Sequence, residues 1–175
     1  MNKTQIRIML GCCLLAAAVF SWAQAVRKPG LWEMTSTMTW QKSPMPPGMT
    51  LPQGVPDPFA PVTRTIDVCL TQEMIDKYGA PVPPPQAQES CTISNVVLKP
   101  TGMSAEMTCT GRMTAHATIE SNWSSGNTAH GTIHFTGTTQ MGANSIPIEY
   151  TVETTSTYKG ADCGNVKPLS MPATK

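Results

Sequence analysis

The chain has 175 residues, with Lys+Arg 12 against Asp+Glu 11, and only 13% of its residues are charged. Such a balance argues against a nucleic-acid binder, which neutralises phosphates with a basic face. Apolar residues make up 40%, too many for a disordered chain, and the length suits one domain, or one domain plus an export signal.

The first element in chain order is an address. Lys3 and Arg7 give a positive start, Ile8 to Phe20 is an apolar and small-residue run, and Ala23 and Ala25 complete an A-x-A cleavage site. That layout predicts a secretory signal peptide over residues 1–25 and a single β-rich exported domain over 26–175. A membrane anchor is the alternative, but the run falls well short of the ~20 residues a spanning helix needs. Met9-Leu10-Gly11-Cys12 loosely resembles a lipobox, yet most of the apolar segment follows that cysteine instead of preceding it. No later segment is apolar enough to cross a bilayer. Without Lys3 and Arg7 the remaining charge is close to zero and slightly negative.

Leu31 to Gln41 alternates with period two. Trp32, Met34, Met38 and Trp40 share one face, and Glu33, Thr35, Thr37 and Thr39 share the other. Such alternation predicts an antiparallel strand with one wet face. Ser43 to Pro61 is rich in proline and cannot be a central strand, because proline donates no ladder hydrogen bond. It is long for a loop in a compact domain, which suggests either a mobile segment or a lid. A strand reaching Cys69 then leads to a short helix. Thr71 caps Gln72 to Tyr78, and Gly79 with Pro81 ends it. A second proline-rich stretch runs from Ala80 to Gln86.

Cys91 to Leu98 and Met103 to Thr110 form the next two strands, around Lys99-Pro100-Thr101-Gly102. Pairing Val97 with Met103 sets Ile93 opposite Met107 and Cys91 opposite Cys109. Alternation continues over Met103 to Ile119, with Met107, Met113, Ala115 and Ala117 on the apolar side. It recurs in Thr128 to Phe135 and in Ile146 to Val152. Asn122-Trp123-Ser124-Ser125-Gly126 and Gly142-Ala143-Asn144-Ser145 supply turns between them. Threonine is abundant, which suits pleated surfaces. The expected fold is mainly β: an antiparallel meander of about six strands curled into an open or half barrel, with one short helix and two disulfides.

Four cysteines follow residue 25: Cys69, Cys91, Cys109 and Cys163. In an oxidising compartment an even number reads as bridges, and three connectivities are open. Directly opposed strand residues lie within disulfide reach, which favours Cys91–Cys109 and leaves Cys69–Cys163 by elimination. Redox or zinc chemistry through these cysteines has no support, since no C-x-x-C pair occurs.

Taken together, several segments resemble a known family. They are Lys28-Pro29-Gly30-Leu31-Trp32-Glu33-Met34-Thr35, Val68-Cys69-Leu70-Thr71, the Cys91/Cys109 hairpin and Tyr158-Lys159-Gly160-Ala161-Asp162-Cys163-Gly164. In this order after a signal peptide they resemble the bacterial exported proteins of domain-of-unknown-function family 3617. The resemblance spans nearly the whole chain after the signal. It implies a β-rich periplasmic protein, agrees with the two bridges, and supplies no activity, substrate or site residue.

Candidate chemistry is sparse. If Ser121 pairs with Asn127, then His116 lies opposite Thr132 and diagonal to His130 and His134 on one polar face, near Glu149 and Glu153. Imidazole and carboxylate ligands suit zinc or copper, although exposed histidines on a wet face are the plainer reading. Met45 and Met49 in the proline loop are a candidate copper(I) pair. Met34, Met38, Met103 and Met107 instead fall on apolar faces, as adaptable core residues do. There is no G-x-S-x-G elbow, H-E-x-x-H pair or phosphate loop. The expectation is therefore a non-enzymatic domain without a cofactor, binding an envelope protein or an apolar small ligand. Trp32, Trp40 and the methionines would line the cavity beneath the proline loop, unless they simply fill the core. Periplasmic copper or zinc binding is the alternative.

Overall fold

A computed structural model describes residues 27–45, 51–79 and 89–169. Residues 1–25, read above as a signal peptide, Met49 and the stretch 80–86 lie outside the described residues, as does part of the first proline-rich loop. Seven strands form one antiparallel sheet: β1 (Gly30–Lys42), β2 (Val62–Leu70), β3 (Glu89–Lys99), β4 (Gly102–Gly111), β5 (Met113–Ser125), β6 (Thr128–Met141) and β7 (Asn144–Gly160). The spatial order is β2-β1-β7-β6-β5-β4-β3, so β2 and β3 are open edges. β3 to β7 form a continuous meander. β1 then pairs with β7, setting the N-terminal hairpin at the far side.

The single helix among the described residues, α1 (Gln72–Tyr78), joins the two edges. Its ends follow from local chemistry. The Thr71 hydroxyl accepts from the Met74 N–H at 3.2 Å, satisfying an orphan donor for about 1 kcal/mol. At the other end Gly79 sits at φ 65, and its N–H donates to the Ile75 carbonyl. Met74 and Ile75 pack with Trp32, Val68 and Leu70 near β2. Tyr78 joins Ile93, Met103, Trp123 and Phe135 on the other side. A flat sheet of seven strands would separate its edges by roughly 29 Å, whereas a helix of this length spans roughly 10 Å. The sheet is therefore curled around α1, which fills part of its concave face.

Both bridges form. Cys91 and Cys109 are direct cross-strand neighbours with Cα atoms 4.0 Å apart. Cys69–Cys163 ties β2 to the C-terminal segment across 94 residues. In the chain-entropy description a loop of that size contributes ~4 kcal/mol. Beside it, Pro168 makes a parallel bridge to Cys69, and Leu169 packs on the Trp32 cluster.

Three expectations need correction. First, the strand count is seven and not about six, because the alternating run from Met103 to Ile119 holds a turn that its pattern does not mark. Gly111, at φ 144, turns the chain between β4 and β5, and Cys109 then pairs with Ala115. Odd residues stay inward on both sides of that turn, so the alternation shows no break. Second, Val97 pairs with Ser104 and not with Met103. A bulge at Asn95, φ 52, absorbs one residue and leaves the expected Cys91 and Ile93 pairings intact. Third, the β5–β6 turn falls at Gly126-Asn127. Ser121 therefore faces Gly131, and His116 faces Thr136 instead of Thr132.

Candidate functional site

The register sorts the concave face into rows running across the strands. One row reads Trp40, Tyr150, Phe135, Ala117, Met107 and Ile93. Its aromatic rings touch in series: Trp40 and Tyr150 are 4.9 Å apart, and Tyr150 stacks on Phe135 at 4.5 Å. Phe59 from the proline loop adds an edge contact to Trp40. A second row reads Ser36, Thr154, Gly131, Ser121, Met103 and Leu98. Small and hydroxylic residues occupy four of those six inward positions and leave space above the sheet.

Arg27 occupies that space. Its side chain is only 2% exposed. The guanidinium carbon lies 4.6 Å from the Trp32 ring centroid and 5.9 Å from that of Trp123. One N–H donates to the Gly79 carbonyl at 3.3 Å. The buried Nε–H has no acceptor among the described residues, and no described carboxylate lies within ion-pair distance. Burial lowers the guanidinium pKa from its ordinary value to about 10, which leaves it cationic at neutral pH. The neighbouring backbone is pinned. Trp32 Nε1 donates to the Lys28 carbonyl at 2.9 Å, and Lys28 Nζ donates to Asn127 Oδ1 at 3.0 Å.

Arg27 forms part of the wall of two cavities. The first, of about 290 Å³, opens between the end of α1, the β3–β4 turn and β5, with Ile75, Leu98, Pro100 and Trp123 as its apolar lining. Asp76 and Lys99 stand at the same wall. Trp123 Nε1 donates to the Pro100 carbonyl at 3.0 Å, which holds the turn against β5. A Cβ on Gly79 would meet the Trp123 ring at 2.9 Å, so glycine here serves both the helix cap and the cavity floor. The second, of about 70 Å³, lies over the hydroxylic row and includes Ser121, Thr154 and Ser156. Ser121 Oγ donates to the His130 carbonyl, and Thr154 Oγ1 to that of Gly131. The arrangement is a mostly apolar chamber with one desolvated cation facing it.

The residues singled out from sequence fall elsewhere. Trp32 is completely buried and Trp40 belongs to the aromatic row, while Trp123 lines the chamber in their place. That chamber lies beside the end of α1, not beneath the first proline loop. His116, His130 and His134 do share the wet face, but each has its own neighbour. His116 Nε2 is 3.8 Å from Glu106, His134 Nε2 is 3.7 Å from Glu149, and His130 Nδ1 lies 3.4 Å from Thr155 Oγ1. Among the described residues no three His, Cys, Asp or Glu side chains converge as a ligand set. Glu149 is held below the usual carboxylate range by its hydrogen bond to Lys42 and that charge, with His134 adding less. Met45 is half-buried, and its proposed partner Met49 lies outside the described residues.

Sequence reasoning missed Arg27 and the hydroxylic row. An arginine is by default a surface residue, and nothing around position 27 signals otherwise. The row did leave a trace, since Ser36 and Ser121 are polar residues at inward positions of otherwise apolar faces.

The fold and the site together define a disulfide-stapled, curled antiparallel sheet with a cation-walled chamber on its concave face. The family model described as "Protein of unknown function (DUF3617)" matches residues 27–163, and the chain belongs to that family. The matched segment begins at Arg27 and ends at Cys163, so it takes in the buried cation and both bridges. No curated protein and no solved structure matches the chain.

Proposed function

We propose that this is a non-enzymatic periplasmic domain, exported by the segment 1–25, that binds an apolar small ligand in the chamber beside the end of α1. The observation that carries this reading is the 290 Å³ cavity itself, lined by Ile75, Leu98, Pro100 and Trp123 within a curled sheet. Ligand sites of this kind are concave and mainly apolar, with a few polar groups to fix orientation, and this volume sits at the small end of their range. Export is supported by the two bridges, which persist in oxidising compartments, and by the signal-like first 25 residues. Among the described residues no helix is long and apolar enough to cross a membrane.

Native mass spectrometry on protein purified gently from its own envelope tests the reading. The expected result is an additional mass of a few hundred daltons that is lost when the protein is denatured. A bare protein mass, with no Trp fluorescence response to an added apolar probe such as decanol, overturns it. The envelope-protein partner would then become the leading occupant.

A further inference from the structure

We propose that the chamber's ligand is an apolar carboxylic acid whose carboxylate is bound by Arg27; this rests on the small-ligand reading above and specifies the ligand's class. A guanidinium carries five N–H donors in a planar fork that matches a carboxylate. Arg27 donates one of them to the Gly79 carbonyl, and its buried Nε–H is unsatisfied among the described residues. Leaving a buried charge without a counter-ion is costly, and a ligand oxygen would remove that cost by a charge-assisted bond.

Asp76 faces the same cavity but is no ion-pair partner of Arg27, and it accepts from Gln72 Nε2 at 2.8 Å. Arg27 and Lys99 against Asp76 leave the wall net positive. The remaining lining is apolar, which favours an acid with a hydrocarbon or aryl body over a small inorganic anion. Position is fixed before binding, because the two tryptophans hold the guanidinium plane and the Lys28 contacts hold its backbone. Such preorganisation lowers the entropic cost of recognition.

The test is a titration of the bridged protein lacking residues 1–25, read by Trp fluorescence, with decanoate, decanol and inorganic phosphate. Decanoate is expected to bind at least tenfold tighter than decanol at neutral pH, with phosphate unable to compete. The preference should vanish in Arg27→Met and, in the unaltered protein, below the pH at which decanoate protonates. Equal binding of decanoate and decanol overturns the carboxylate assignment and leaves the chamber standing. Binding of neither overturns the chamber itself. Phosphate competing as well as decanoate overturns the apolar-acid class. Should Arg27→Met not fold, Leu98→Trp at a 46% exposed position fills the chamber. That variant is expected to lose both ligands with an unchanged circular dichroism spectrum, while the pH dependence in the unaltered protein still decides the role of the charge.

Discussion

The two rows on the concave face run across the same strands, four residues apart along most of them, yet they do opposite work. The Trp40–Tyr150–Phe135 row closes on itself through ring contacts of 4.9 and 4.5 Å and forms a continuous core. The Ser36–Thr154–Gly131–Ser121 row offers small side chains and hydroxyls, and the space above it admits a cation that a dry core would reject. A buried charge is tolerated only where something compensates it. Two tryptophan faces and one carbonyl compensate Arg27 in part. The first row is packed core, and the second makes room for the cation that, on the reading proposed above, meets the ligand in the neighbouring chamber.

Substitutions in each row separate the two roles. Phe135→Ala removes the stacked ring and is expected to cost about 4 kcal/mol, measured by urea unfolding, because it opens a cavity in a packed row. A cost below about 1 kcal/mol would mean that the row is not the core it resembles. In the second row Ser121→Ala removes one hydrogen bond, to the His130 carbonyl, and is expected to cost about 1 kcal/mol. Arg27→Met should change stability by less than about 1 kcal/mol, or raise it, since an apolar side chain replaces a poorly paired buried charge. Marked destabilisation by that variant would make Arg27 a structural clamp between α1 and the N-terminal segment.

The smallest effect belongs to the wet face. The folded-state pKa of Glu149 is depressed, so its contribution is present above the ordinary carboxylate pKa of about 4.3 and is lost as pH falls through the folded value. The Tm difference between the unaltered protein and Glu149→Gln should therefore be small near neutrality and vanish under acid conditions. A difference that grows on acidification would reverse the assigned sign.

Local chemistry was readable in the sequence wherever it was short-range. Thr71 and Gly79 announced both ends of α1, and pleat geometry brought Cys91 opposite Cys109. The inward phase of β1 and of β4 to β7 followed from alternation, because burial imposes period two. What escaped had physical causes. The Gly111 turn preserved the odd-residue phase, so the alternation itself marked no turn there. Pairing of β1 with β7 joins residues more than a hundred positions apart, and no local signal encodes it. The histidine register moved because the β5–β6 turn lies further along than its Asn-Trp-Ser-Ser-Gly composition indicated. Arg27 escaped because burial of a lone cation is decided here by partners from three different elements, Trp32, Gly79 and Trp123.

The most direct measurement is ¹⁵N-edited NMR of the arginine side chains in the chain lacking residues 1–25, which contains Arg27, Arg64 and Arg112. Arg27→Met assigns the resonance of interest. On saturation with decanoate the Arg27 Nε–H signal is expected to shift and gain protection from solvent exchange, while those of Arg64 and Arg112 stay in place. An Arg27 signal that is unmoved while Trp fluorescence reports full occupancy would contradict an uncompensated cation awaiting a ligand.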